Sequence, residues 1–180
     1  RKLSDPSVAV ARGAVERVLK GHEPNPAFAV DRWWNLQMAN AAVAPMLALV
    51  EDKSLLAGQP NVLRLSLHPR GLSKSILNLG QWKQHVLWRL GQQLDATGDP
   101  KLAALEKELA AYPAPHAPRR ERTEADAIAL TFELKAGDKV LSFITTTTIF
   151  GTPADVTLSE LAVEAFFPAN AETAATMQAL

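Results

Sequence analysis

Between Ile128 and Pro168 the chain is strand material. Ile128, Leu130, Phe132 and Leu134 alternate with Ala127, Ala129, Thr131 and Glu133, the period of a strand with one buried face. Ala136-Gly137-Asp138 supplies hairpin chemistry, so the partner strand, Val140 to Phe150, has to run antiparallel. Gly151-Thr152-Pro153 predicts a corner. Leu161, Val163, Ala165 and Phe167 then alternate with Ala162, Glu164 and Phe166 in a further strand. Such a sheet has an apolar face to cover. Its side chains are mostly apolar or hydroxyl-bearing, with almost none of the groups that catalysis uses. That composition suits the floor of a binding site.

Upstream the pattern is mostly helical. Asp5-Pro6 pairs a capping carboxylate with proline at the first helical position. Val8, Ala11, Val15 and Val18 make one apolar stripe, and Gly21 stops a helix running from Pro6 to Lys20. Pro24 and Pro26 break the chain. Ala27 to Asp31 reads as a strand, Arg32 to Asn35 as a turn, and Leu36 to Ala39 as the returning strand. Asn40 is placed to cap a helix over Ala41 to Val50, with Pro45 early enough to be tolerated. Asn61 caps a two-turn helix to Leu67, ended by Pro69 and Gly71. Trp82, Val86, Leu90 and Leu94 mark a helix from Gln81 to Ala96, stopped by Gly98. Asp99-Pro100 starts another, carrying Leu102, Leu105 and Leu109 to Ala111. Pro113, Pro115 and Pro118 form a linker, and Glu172 to Leu180 reads as a terminal helix. Two strands, a helical insert and three strands predict an α+β fold. The expected architecture is PAS-like: an antiparallel five-stranded sheet covered by helices, with an N-terminal helix.

Composition removes several functional classes. The chain has 180 residues, 47% of them hydrophobic, enough for one cored domain. Nineteen basic residues balance nineteen acidic ones, so phosphate-driven nucleic-acid binding is not expected. The basic cluster Arg119, Arg120 and Arg122 is interrupted by Glu121 and follows the proline-rich stretch, as a solvated loop would. There is no cysteine, which excludes disulfides and thiol chemistry and fits a reducing cytoplasm. No apolar run approaches the roughly 20 residues of a membrane helix. His22, His68, His85 and His116 lack metal-site spacing, and no GxSxG, GxGxxG or GxxxxGK[ST] motif occurs. The expectation is a protein that is not an enzyme and has no cofactor or metal. The chain opens on Arg1 without an initiator methionine, as a fragment of a longer protein would.

The candidate ligand contacts are few. His85 and Arg89 are i, i+4 on the helix that carries Trp82 and Val86. An arginine at a pocket rim can grip a carboxylate with two hydrogen bonds; the competing account is a surface pair with its stems laid on the protein. Arg64 and His68, just before Arg70, form a second i, i+4 pair, with His68 as a helix-end cap the alternative. On the long strand, Thr145 and Thr147 share a face with Leu141, Phe143 and Ile149. Thr146 and Thr148 share the other with Val140, Ile144 and Phe150. The alternation leaves open which face looks inward; the candidate set takes Phe143, Thr145, Thr147 and Ile149. Trp33, Trp34, Trp82 and Trp88 are expected in the core, with one or two lining the pocket. Glu160 and Glu164 are expected in solvent.

Three stretches carry a family resemblance: AVERVLKGHEPNPAFAVDRWWNLQMANAAV over residues 14–43, NVLRLSLHPRGLSKSILNLGQW over 61–82, and LSFITTTTIFGTPADVTLSELAVEAFFPA over 141–169. In order and spacing the chain resembles the ligand-binding domain of MmyB-like transcription regulators, which in bacterial proteins follows an XRE-type helix-turn-helix domain. The resemblance implies a PAS-like fold with a pocket between sheet and helices. It implies the sensing of a small apolar molecule, with fatty acid as one ligand class. It divides the chain into residues 1–22, a helix and linker from a missing helix-turn-helix domain, and residues 23–180, the ligand-binding domain. The expected partners are the ligand, a second copy in a homodimer, and DNA only through the absent domain, with no membrane. The alternative is a ligand-free dimerisation module with a filled core.

Overall fold

A computed structural model describes residues 6–117, 130–149 and 161–180. Helix α1 spans Pro6–Gly21, followed by strands β1 (Ala27–Val30) and β2 (Leu36–Ala39). The helical insert comprises α2 (Ala44–Leu47), α3 (Val62–Leu67), α4 (Leu79–Thr97) and α5 (Pro100–Ala111), with tight helical turns between. Strands β3 (Phe132–Ala136), β4 (Lys139–Ile149) and β5 (Ala162–Pro168) follow, then α6 (Ala171–Ala179). The five strands form one antiparallel sheet in the order β2-β1-β5-β4-β3, so the PAS-like α+β expectation holds. Among the described residues no helix is long and apolar enough to cross a membrane.

Both faces of the sheet are covered. On one, Val15 and Leu19 of α1 pack against Ala27, Ala29, Val163 and Ala165, with Leu161 alongside. Three alanines on these strands let the helix backbone come close. Val18 is 44% exposed, so the seated face of α1 is centred on Val15 and Leu19 rather than on the predicted Val15 and Val18. On the other face lies the larger core, where Val30, Phe132, Leu134, Phe143 and Phe166 meet Trp82, Val86 and Leu90 of α4 and Leu102, Leu105 and Leu109 of α5. Each such side chain contributes about 1.5–3 kcal/mol on burial. Phe166 is the hub, with ring centroids 5.8 Å from Phe28, Phe132 and Phe143.

The helix ends follow the sequence signals in most places. Gly98 adopts φ 61 and returns its N–H to Leu94 O. The Asp99 side chain accepts from Lys101 N with Pro100 in the first turn, and Asn61 accepts from Arg64 N. Asn40 is the exception. Its side chain accepts from Ala27 N and donates to Leu19 O and Asn25 O, tying α1 to the sheet. The N–H of Ala41 goes to the Glu23 carboxylate instead. The expected single helix from Ala41 to Val50 is correspondingly a tight turn followed by the short α2. Strand β3 starts at Phe132, later than the alternation suggests; the Asn78 amide takes the Thr131 carbonyl just ahead of the ladder and accepts from Glu133 N on its outer edge. Ile128, Phe150, the Gly151-Thr152-Pro153 corner, Glu160 and the Arg119–Arg122 cluster lie outside the described residues.

Candidate functional site

Between the sheet and the insert lies a cavity of about 90 Å³. Its floor is Phe28 and Leu36 from β1 and β2, Phe132 from β3, and Phe166 from β5. Its roof is Trp82 and Val86 of α4, with Leu63, Leu65 and Ser66 of α3, and one end is closed by Val43, Met46 and Leu47. The wall is mostly apolar: besides Ser66, whose hydroxyl donates to Leu63 O, its polar side chains are Arg89, Thr145 and Glu164 at the other end. For scale, an apolar cavity of roughly 150 Å³ admits benzene, so this enclosed space takes only part of a hydrocarbon chain. From the polar end a cleft of about 620 Å³ begins, bordered by His85, Trp88, Gln92, Gln93 and Thr146, and sharing Arg89 and Thr145 with the cavity.

The polar end is built from two strands and a helix. Glu164 lies on β5, the middle strand of the sheet, in register with Phe28 on one side and Thr147 on the other. It sits on the face that carries Phe166, not the face that meets α1. Arg89 follows Trp82 and Val86 by seven and three positions on α4, so it leans over the same floor. Its Nη2 donates to Glu164 Oε1 at 2.9 Å and to Thr147 Oγ1 at 2.7 Å, and Nη1 reaches Glu164 Oε2 at 3.4 Å. The Thr147 hydroxyl in turn donates to Glu164 Oε1 at 2.8 Å. The Glu164 side chain is only 5% exposed and that of Arg89 26%, so the ion pair lies largely out of water. Burial at this depth strengthens each contact and makes an unpaired member costly.

Beneath the guanidinium lies the Trp34 ring, with the Arg89 Cζ 4.8 Å from its centroid. Trp34 has φ 70, a strained value for a bulky side chain that costs about 1–3 kcal/mol. The turn holding it is stitched from several directions. The Asp31 carboxylate accepts from Trp33 N, Asn35 N and the Asn35 and Gln37 side-chain amides. Val62 N donates to Trp34 O, and the Asn61 amide to Trp33 O. The indole Nε1–H of Trp34 donates to Gln93 Oε1 at 2.9 Å, and Gln93 Nε2 to Arg32 O at 2.8 Å. An aspartate holding a tight turn thus places an aromatic plate between the sheet and α4.

The sequence candidates separate under this geometry. Trp82, Val86, Arg89 and Thr145 come together on the cavity wall, and His85 and Thr147 join at the mouth or in the cleft. Phe143 is fully buried beneath Phe166, and Ile149, at the far end of β4, is 68% exposed; neither lines the cavity. Arg64 and His68 lie away from it. The Arg64 fork is filled by Glu108 of α5, with Nε 2.6 Å from Oε2 and Nη2 2.8 Å from Oε1. His68 closes α3, accepts from Arg70 N through Nδ1, and stacks edge-on against Tyr112. The Tyr112 hydroxyl donates to Glu108 Oε2. The hydrogen bond from Arg64 holds the Glu108 carboxyl below its ordinary range, while burial and then Glu108 push the Tyr112 phenol up to about 12. This second polar group fastens α3 to α5.

Glu164, expected in solvent, is instead buried in the wall, and Phe28, Phe132 and Phe166 complete the floor. The available signal was Phe166 itself: a residue two places from Glu164 on a strand shares its face, so a core Phe166 draws the carboxylate inward. Of the tryptophans, Trp34 and Trp82 line the cavity and Trp88 the cleft. Trp33 is held between Arg32 and Lys101, with its indole N–H on Asp99.

Compared with protein-family profiles, the chain matches the MmyB-like transcription regulator ligand binding domain over residues 11–180. It belongs to that family. A comparison with curated protein sequences found no match.

Proposed function

We propose that the domain senses a small, largely apolar molecule, fatty-acid-like in its hydrocarbon part, held between β5 and α4. The observation that carries this reading is the apolar cavity with the Arg89, Thr147 and Glu164 cluster at its one polar end. An apolar enclosure with a few convergent polar groups is the usual composition of a small-molecule site. Trp82, Val86 and Phe166 take the hydrocarbon part, and Arg89 and the threonines meet the polar part where the cleft begins. The family's role in transcription regulation supplies the context.

Occupancy reaches α1 through β5. On this strand Glu164 and Phe166 face the ligand, while Val163 and Ala165 face Val15 and Leu19. In the proposed full-length dimer, α1 leads to a helix-turn-helix head, and its seating sets the spacing of two heads on half-sites about 34 Å apart. The domain then works in the cytoplasm and touches DNA only through those heads. The coupling is no larger than the ligand's differential preference for the two seatings of α1.

Native mass spectrometry of the purified chain tests the reading. A co-purifying small molecule supports it. A ligand-free dimer that takes up no member of a lipid panel favours the alternative of a dimerisation module, for which the outward-facing Val10 and Val18 of α1 offer apolar contact.

A further inference from the structure

An arginine at the mouth of an apolar cavity by itself suggests a carboxylate ligand. Glu164 alters that expectation. Its carboxylate already meets the guanidinium at 2.9 Å and 3.4 Å, and Thr147 closes the triangle. The positive charge of Arg89 is therefore neutralised inside the protein. Among the described residues no acceptor stands against the Nε–H and one Nη1–H of Arg89, and the side chain borders both cavity and cleft. We infer that the site takes a molecule whose polar end is an uncharged hydrogen-bond acceptor, such as a hydroxyl, ester or amide, and rejects both carboxylate and ammonium ends. The inference rests on the cavity reading above and adds the head-group class.

The reasoning is electrostatic. A carboxylate brought within reach of Arg89 also comes close to Glu164, in surroundings where little water screens their repulsion. Displacing Glu164 instead strands a carboxylate in the middle of the sheet, between Phe28 and Thr147. An ammonium meets Arg89 with the same difficulty. An uncharged acceptor uses the spare N–H and leaves the pair intact. Glu164 is thus a specificity-determining residue, although it belongs to the wall and not to a free anion hole.

The test is a calorimetric titration of the purified chain, at neutral pH, with octanol, octanamide, octanoate and octylamine, which share one hydrocarbon length. Octanol and octanamide are expected to bind about tenfold or more tighter than either charged probe. In Glu164→Gln the freed Arg89 charge should bring octanoate level with or above octanol while octylamine stays weak. If that variant fails to fold, the wild-type ranking decides alone. Octanoate binding as tightly as octanol to the wild type overturns the inference and leaves the cavity reading standing. Failure of all four probes to bind overturns both.

Discussion

Replacing Arg89 with methionine keeps a flexible hydrocarbon stem over Trp34 and removes the guanidinium. Glu164, 4% exposed, then retains only the Thr147 hydroxyl as a donor among the described residues. A buried carboxylate that loses its partner costs about 3–5 kcal/mol. The expected loss relative to the parent is therefore about 3–5 kcal/mol. Urea unfolding followed by tryptophan fluorescence at pH 7 measures it. The paired change Arg89→Met with Glu164→Leu should lie within about 1 kcal/mol of the parent. A loss below about 1 kcal/mol means that water reaches Glu164 and the burial argument is wrong.

Val86→Phe should fill the roof of the cavity, cost no more than about 1–3 kcal/mol of stability, and weaken octanol binding by more than about tenfold in the same calorimetry. Asn40→Ala leaves Ala27 N, Leu19 O and Asn25 O without their shared partner; a loss of about 2–4 kcal/mol and faster amide exchange confined to α1 are expected by hydrogen-exchange mass spectrometry. The Tyr112 phenol, raised from 10.0 to about 12, contributes stability that is intact below pH 10 and is lost as pH climbs toward 12. Tyr112→Phe should flatten that alkaline decline in thermal melts, and an unchanged decline would remove the role assigned to the Glu108 contact.

Local chemistry made much of the fold legible. Asp99-Pro100, Gly98, Asn61 and the Trp82-Val86-Leu90 stripe act within a few residues of themselves, and the structure keeps each of them. Asn40 looked like another cap, but its amide is spent on α1 and β1, partners that only the tertiary fold supplies. Glu164 was misread for a related reason. Alternation separates the faces of β5 correctly, but it does not state that α1 crosses one of them, leaving the other to the helical insert. With both faces covered, polarity no longer marks the outside. Arg89 was recognisable as a residue at a pocket rim, whereas its partner, 75 positions away in the chain, was not. Arg64 carried the same i, i+4 signal with a histidine and was claimed by Glu108 of α5, a contact that no short-range pattern announces.

The strand order carries a consequence for assembly. Two hairpins, β1 with β2 and β3 with β4, close over short loops and can form early. Among the described residues they are joined in the sheet only by β5, whose contacts with β1 span more than 130 positions. Long-range closure of this kind slows folding. Until β5 inserts, both hairpins present open edges and the insert has no floor to rest on. The proposed ligand site and the strand that joins the two hairpins therefore coincide, and a molecule that binds the cavity should stabilise the joined sheet.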